Sequence, residues 1–272
     1  MSGTYSAYAG APGTGDTGPL PSGALWHQVD AELNRPGLWM HQFEDFTDDV
    51  YTETLPTADD PWHGLRVFTS SGATLNAVDA EGGVRELVEA TDNEGLSISR
   101  GIYSFKIIQG AGPLVFEARV KRTNITATFG FFLGLIENVA PTAILPIAAD
   151  GTLSDNNLVG FYQPEGDPDG VDTAYKANAV TAVTVKADAV TLVADTYVKL
   201  GMLYNRAGDF ALEFTKDGVI LPDRKIIPTA AGTDFPNDVR LGWIFAVLNG
   251  ATAALNASID WVRVAQRRVS AP

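Results

Sequence analysis

The sequence predicts an all-β protein, a sandwich of two antiparallel sheets, and three observations lead there. From residue 38 onward apolar and polar residues alternate with a period of two, the spacing of a strand with one face in a core. Gly, Asp, Asn and Pro interrupt the alternation at short intervals, as turns between strands do. Helical spacing is confined to one short stretch near the N-terminus. The chain has 272 residues, 45% of them hydrophobic, 10% aromatic and 19% charged, so it can bury a sizeable core and is not a disordered protein.

Taken in order, residues 1–24 carry six Gly and three Pro with almost no large aliphatic side chain. Such a segment cannot offset the entropy of ordering its own backbone, so it is expected to be a flexible arm that gains order against a neighbouring chain or, as the alternative, by lying back on its own domain through Tyr5 and Tyr8. The stretch ALWHQVDAELN (24–34) places Leu25, Val29 and Leu33 at helical spacing, and Pro36-Gly37 supplies a stop. It predicts one short amphipathic helix linking arm to sandwich. The division expected is an arm and linking helix over 1–37 and a β-sandwich domain over 38–272.

LVFEARVK (114–121) puts Leu114, Phe116, Ala118 and Val120 on one face and Glu117, Arg119 and Lys121 on the other, which predicts a core face and a wet face. FGFFLGLI (129–136) is apolar on both faces, as a central strand is, and Gly130 and Gly134 predict a close neighbour. Residues 180–221 predict a meander: VTAVTVK, AVTLV and YVKLGMLY, then reversals at NRAGD (205–209) and KDG (216–218) into FALEF and VIL. LGWIFAVL (241–248) and IDWVRV (259–264) complete the strands, with Trp243 and Trp261 supplying buried area. No repeat of 20 to 50 residues is visible, which argues against propellers and solenoids.

Charge and composition exclude several functions. With 19 Lys+Arg against 33 Asp+Glu the net charge is −14, opposite to what phosphate-backbone binding or an anionic membrane surface requires. The densest basic spots, Lys121-Arg122 and Arg267-Arg268, are expected to be solvated strand ends. The first Lys or Arg is Arg35, so the opening residues lack the basic start of a secretory signal, and export by that route is not expected. The most apolar window, 129–149, is broken by Glu137, Asn138, Pro141 and Pro146 and does not read as a membrane span. The absence of cysteine removes disulfides, thiolate metal sites and cysteine nucleophiles.

The catalytic inventory is thin. His27, His41 and His63 lack the spacing of a two-histidine zinc site, and no nucleophile elbow or phosphate-binding glycine loop is present. Paired carboxylates are the remaining hydrolytic option, with Glu117 and Glu213 as strand-borne candidates. Arg119 and Lys121 share the face of Glu117 and are expected to keep it ionised, unlike a general acid, so both glutamates are assigned to the solvent face. The loop QPEGDPDGVD (163–172) gathers Glu165, Asp167, Asp169 and Asp172, hard oxygen donors of the kind calcium takes, but without an EF-hand spacing. No catalytic residue, resident metal or cofactor is assigned.

The segments EGGVRELVEATDNEGLSIS (81–99), PLVFEARVKRTNITATFGFFLGLIE (113–137), NNLVGFYQPEGD (156–167), DTYVKLGMLYNRAGDFALEFTKDGVILP (195–222) and DFPNDVRLGWIFAVLNGATAALNASIDWVRVAQ (234–266) together resemble the concanavalin A-like (laminin G-like) jelly-roll domain. The resemblance is to the version found in structural proteins of tailed bacteriophages and covers about 40 to 266. It implies two antiparallel sheets packed face to face. Members with glucanase activity carry an E-x-D-x-E type cluster on one strand, which no strand here has, so the resemblance does not extend to hydrolysis. Lectin members bind sugar through Asp, Asn and an aromatic around calcium, and only the 163–172 loop approximates that set.

The resemblance therefore implies a non-enzymatic virion protein, a capsid decoration (cement) protein made in the host cytoplasm and placed on the capsid surface. Its implied partners are the major capsid protein and itself, as a homotrimer around a three-fold axis, with no nucleic acid and no membrane. The alternative is a tail- or fibre-associated carbohydrate- or receptor-binding module.

Overall fold

A computed structural model describes residues 20–32, 37–46, 61–62, 65–69, 73–78, 83–137, 145–148, 150–228 and 234–269. Two antiparallel sheets, numbered along the chain, form the sandwich. Sheet A runs β14 (Val219–Ile226), β13 (Ala211–Lys216), β12 (Val198–Tyr204), β7 (Leu114–Arg122), β16 (Leu255–Arg267), β5 (Arg85–Glu89) and β4 (Thr74–Ala77), with β1 (Trp39–Glu44) paired to the end of β16. Sheet B runs β11 (Val183–Thr191), β10 (Gly170–Lys176), β9 (Leu158–Gln163), β8 (Phe129–Glu137), β15 (Leu241–Asn249), β6 (Glu94–Ser99), β3 (Leu65–Thr69) and β2 (Pro61–Trp62). The helix predicted near the N-terminus is α1 (Gly23–Glu32). The expected arm lies outside the described residues as far as residue 19, and so does His63.

Alternation explains the core. Leu114, Phe116, Ala118 and Val120 of β7 meet Phe129, Phe131, Leu133 and Leu135 of β8 in one apolar cluster between the sheets. Phe161 of β9 and Phe214 of β13 lock the two sheets edge to face, with ring centroids 5.4 Å apart. β8 is buried on both faces, as its composition predicts, and its Gly134 faces Gly160 of β9. A Cβ on Gly134 would come within 2.3 Å of the Val159 carbonyl oxygen, so backbone approach excludes any larger residue.

Two expectations are corrected. Residues 183–191 form the single strand β11, where the sequence suggests two, and it lies in sheet B, so the chain crosses to sheet A before β12 instead of continuing a meander. A bulge causes the apparent break: between the Val171–Val190 and Thr173–Lys186 pairs, three residues of β11 oppose one of β10, and Asp188 there has φ 50°. The reversals into β13 and β14 occur as predicted. Arg122, expected at a solvated strand end, continues the inward set of β7 and is only 4% exposed.

Candidate functional site

Each sheet has an outer face, and the chain covers part of both. On sheet A the cover is α1, whose Leu25, Trp26 and Val29 pack on Trp39, Val115, Leu203 and Ala265. Helical spacing puts Leu25 and Val29 on one side of α1, as expected, and Trp26 extends that stripe, while Leu33, the third expected member, lies outside the described residues. Beneath it lies Glu117, the central outward residue of β7. One carboxylate oxygen accepts the Ser22 backbone N–H and the Trp26 indole Nε1–H, both at 2.9 Å. The carboxylate thus meets the N-terminal end of the helix, where unpaired amides and the helix dipole favour an anion.

Lys199, outward on β12 and only 1% exposed, donates to the Leu20 carbonyl at 3.0 Å. The chain entering α1 is therefore held by one buried anion and one buried cation. At the far side of the helix Arg263 of β16 is paired with Asp30, donates from Nε to His41 Nε2 at 3.0 Å, and stacks 4.1 Å above the Trp26 ring. Glu32 accepts the Trp39 indole N–H at 3.0 Å.

The electrostatics follow from burial. Glu117 was expected to be solvent-facing and kept ionised by Arg119 and Lys121. It is instead fully buried, and desolvation pushes its pKa above the usual carboxylate range, against the hydrogen bonds from Ser22 and Trp26 and the charge of Lys199. Arg119 pairs with Asp260, and Lys121 lies 4.0 Å from Asp195. For His41, burial first and Arg263 second depress the pKa, which suits a ring nitrogen that accepts a hydrogen bond. Glu213, half-buried, is held by Arg206 at 2.9 Å.

The outer face of sheet B is covered by apolar packing. Phe132, Ile136, Leu158, Tyr162, Ile244 and Leu248 form a second cluster closed by Leu145, Ile147 and Leu153. These three come from the connection between β8 and β9. Leu145 seats where a side chain on Gly95 would be, 2.7 Å from the position of its Cβ. Ile147 and Leu153 pair as an isolated bridge, and the Tyr162 hydroxyl donates to the Gly151 carbonyl.

The carboxylates of the 163–172 loop are divided. Glu165 turns toward Gly151 and Gly250, whereas Asp167 crowds Gly170 together with Asp188 of β11. Asp167 also accepts the Gly170 N–H, and Asp172 accepts the Asp188 N–H, each at 3.0 Å. Among the described residues no three His, Asp or Glu side chains converge as metal ligands. Contact with Asp167 raises the pKa of the exposed Asp188. Lys199, Arg263 and Asp188 were not singled out by sequence reasoning. The one signal for Lys199 is its place inside the apolar run YVKLGMLY, while nothing local distinguishes Arg263.

No family model matches the chain, and no curated protein matches it in sequence. Solved structures do. A protein of unknown function from Shewanella oneidensis MR-1 aligns with TM-score 0.54 at 14% identity, over 90% of this chain and 95% of that one. Peanut lectin in complex with a nine-residue peptide aligns with TM-score 0.56 at 10% identity, over 86% and 99%. An endo-1,3-β-glucanase from Streptomyces sioyaensis aligns with TM-score 0.50 at 14% identity, over 86% and 98%. A lectin and a glucanase on one architecture do not choose between binding and hydrolysis. What these likenesses establish is the fold: the chain is a concanavalin A-like, lectin-type jelly-roll sandwich.

Proposed function

We propose that this chain is a non-enzymatic virion structural protein, a decoration protein of a tailed-bacteriophage head that fastens to the major capsid protein through its N-terminal segment. The observation that carries the reading is the clamp at the start of α1. Glu117 and Lys199 hold Ser22 and Leu20, so the segment before Leu20 starts from a defined point on a rigid sheet. A clasp anchored in this way loses less freedom on docking than one tethered loosely, and many copies on a lattice add avidity. The acidic surface keeps a multi-copy protein soluble. The two strand-borne carboxylates singled out for hydrolysis are each engaged by other groups of the protein, Glu117 under α1 and Glu213 with Arg206, which supports a non-catalytic role.

Deleting residues 1–19 tests the reading, because it leaves the clamp and the helix intact. The expected product is a folded domain that no longer occupies shells stripped of the protein, with apparent affinity reduced by at least about tenfold. Full occupancy by the truncated chain would overturn it. The carbohydrate-binding alternative draws on the lectin-type fold, and glycan titration with and without calcium separates the two. Saturable glycan binding lost in Asp167→Asn and Asp169→Asn would favour that alternative.

A further inference from the structure

The seat of α1 on sheet A is only partly satisfied. Arg263 of β16, Glu117 of β7, Gly201 of β12 and Thr215 of β13 form one row across the outer face of the sheet. Gly201 brings no side chain to the row, and a Cβ on it would come within 2.6 Å of Thr215 Oγ1 and 3.5 Å of Glu117 Cβ. Glu117 and Thr215 are fully buried, yet Glu117 Oε1 and Thr215 Oγ1 have no hydrogen-bond partner among the described residues. Lys199, two residues before Gly201 on the same face, and Arg263 are buried with them.

Closing α1 over this row strips water from two cations, a carboxylate and a hydroxyl, and two of the oxygens receive nothing in return. The opposing gain is the burial of Leu25, Trp26 and Val29 against the sheet. These contributions offset one another, so the net hold on α1 is small beside that of the core between the sheets. The connections are also of a kind that can be undone locally. The hydrogen bonds that join residues 20–32 to the sheet each use a side chain of at least one partner: Glu117 with Ser22 and Trp26, Lys199 with Leu20, Arg263 with Asp30, Trp39 with Glu32. Pairing of β1 with β16 begins beyond the helix, at Trp39 and Arg267, so α1 can leave without breaking a strand pair. The cover of sheet B lacks this weakness. Its cluster is apolar, and the one hydroxyl in it, that of Tyr162, donates to the Gly151 carbonyl.

We propose that α1 is a releasable cover: residues 20–32 lift off as a unit while both sheets stay folded, baring a strip where Val115, Leu203 and Ala265 lie beside Arg263, Glu117 and Thr215. Such opening below the free energy of global unfolding is the behaviour of a region held by few apolar contacts. The closed form is the major one, so the anchoring of the N-terminal segment is kept in it. Release would extend the segment able to dock elsewhere from residue 19 to residue 32. The inference rests on the seat alone and is independent of the decoration role.

The chain has no cysteine, so a single introduced thiol reports opening. Val29→Cys in α1 and Ile147→Cys in the cover of sheet B, both at buried positions, are treated with excess thiol reagent in native buffer. The thiol of the Val29→Cys variant should react on the order of a hundredfold faster or more, at a rate that urea below the unfolding transition hardly changes. Thr215→Val, introduced alongside Val29→Cys, removes an unpartnered oxygen without removing a hydrogen bond, so it should slow that reaction about fivefold or more. In the unsubstituted chain, amide exchange in residues 25–32 should show the same weak urea dependence, and this measurement decides even if a variant fails to fold. Three results would each overturn the proposal: equal reaction rates in the two cysteine variants, an unchanged rate with Thr215→Val, or exchange in α1 that proceeds only through global unfolding.

Discussion

The two outer faces of the sandwich are covered by opposite chemistry. On sheet A a helix is fastened by charged and ring groups, Glu117, Lys199 and Arg263, around one large anchor, Trp26. On sheet B a connecting segment lies on aliphatic and aromatic side chains, with Leu145 seated over Gly95. A cover built on ionisable groups responds to pH, whereas one built on apolar area does not. Sheet A is accordingly the face whose cover, α1, is expected to respond to pH.

The largest effect should come from removing the anchor on sheet A. Trp26→Ala is expected to cost about 3–5 kcal/mol in urea unfolding, because the indole is buried and also donates to Glu117. Residues 20–32 should then become protease-sensitive while the β8–β9 connection stays protected. The matching change on sheet B, Ile147→Ala, should cost about 2–4 kcal/mol and expose that connection instead. If either substitution opened both covers equally, the two faces would be one cooperative unit and the contrast would fail.

A smaller effect sharpens the comparison through pH. The folded-state pKa of Glu117 is raised by burial, so between the unfolded value near 4.5 and the folded one the native state holds more protons. Its contribution to stability is therefore best at low pH, declines as pH rises through that window and then levels. Glu117→Gln keeps an oxygen for Ser22 and Trp26 but cannot ionise. Its stability relative to the unsubstituted protein should thus improve as pH rises above 4.5, as read from urea midpoints. A difference that stays constant with pH would show that Glu117 does not titrate between the two states.

His41 should produce the smallest change, with opposite sign. Its pKa is lowered in the folded state, so its contribution is complete above about 6.5 and is lost as pH falls through the folded value. Protonation removes the ring nitrogen that accepts from Arg263. Hydrogen exchange at β1 should therefore quicken below pH 6.5 while exchange at Ile147 and Leu153 shows no matching change beyond the intrinsic one.

Much of the architecture was legible from alternation alone. The strands over 114–121, 129–136, 241–248 and 259–264, the reversals at 205–209 and 216–218, and the helix after residue 23 all appear where pattern and turn residues put them. The site was less legible. Glu117 has the same polar position in the alternation as Arg119, yet Arg119 pairs with Asp260 on the sheet surface and Glu117 lies under a helix some ninety residues earlier in the chain. The β11 bulge was hidden because Asp188 interrupts the pattern just as a turn would.

The sequence by itself determined the class of structure, because period-two alternation and turn chemistry are local properties, and it determined which residues of each strand share a face. Only the tertiary structure decided what lies against each face. Val120 and Arg122 belong to one inward set, but whether the last member meets solvent, a carboxylate or an aromatic ring depends on where β8 and β9 end. Glu117 likewise became an anchor only when α1 folded back onto sheet A. Burial and charge compensation depend on contacts distant in sequence, and those contacts set the chemistry at both residues.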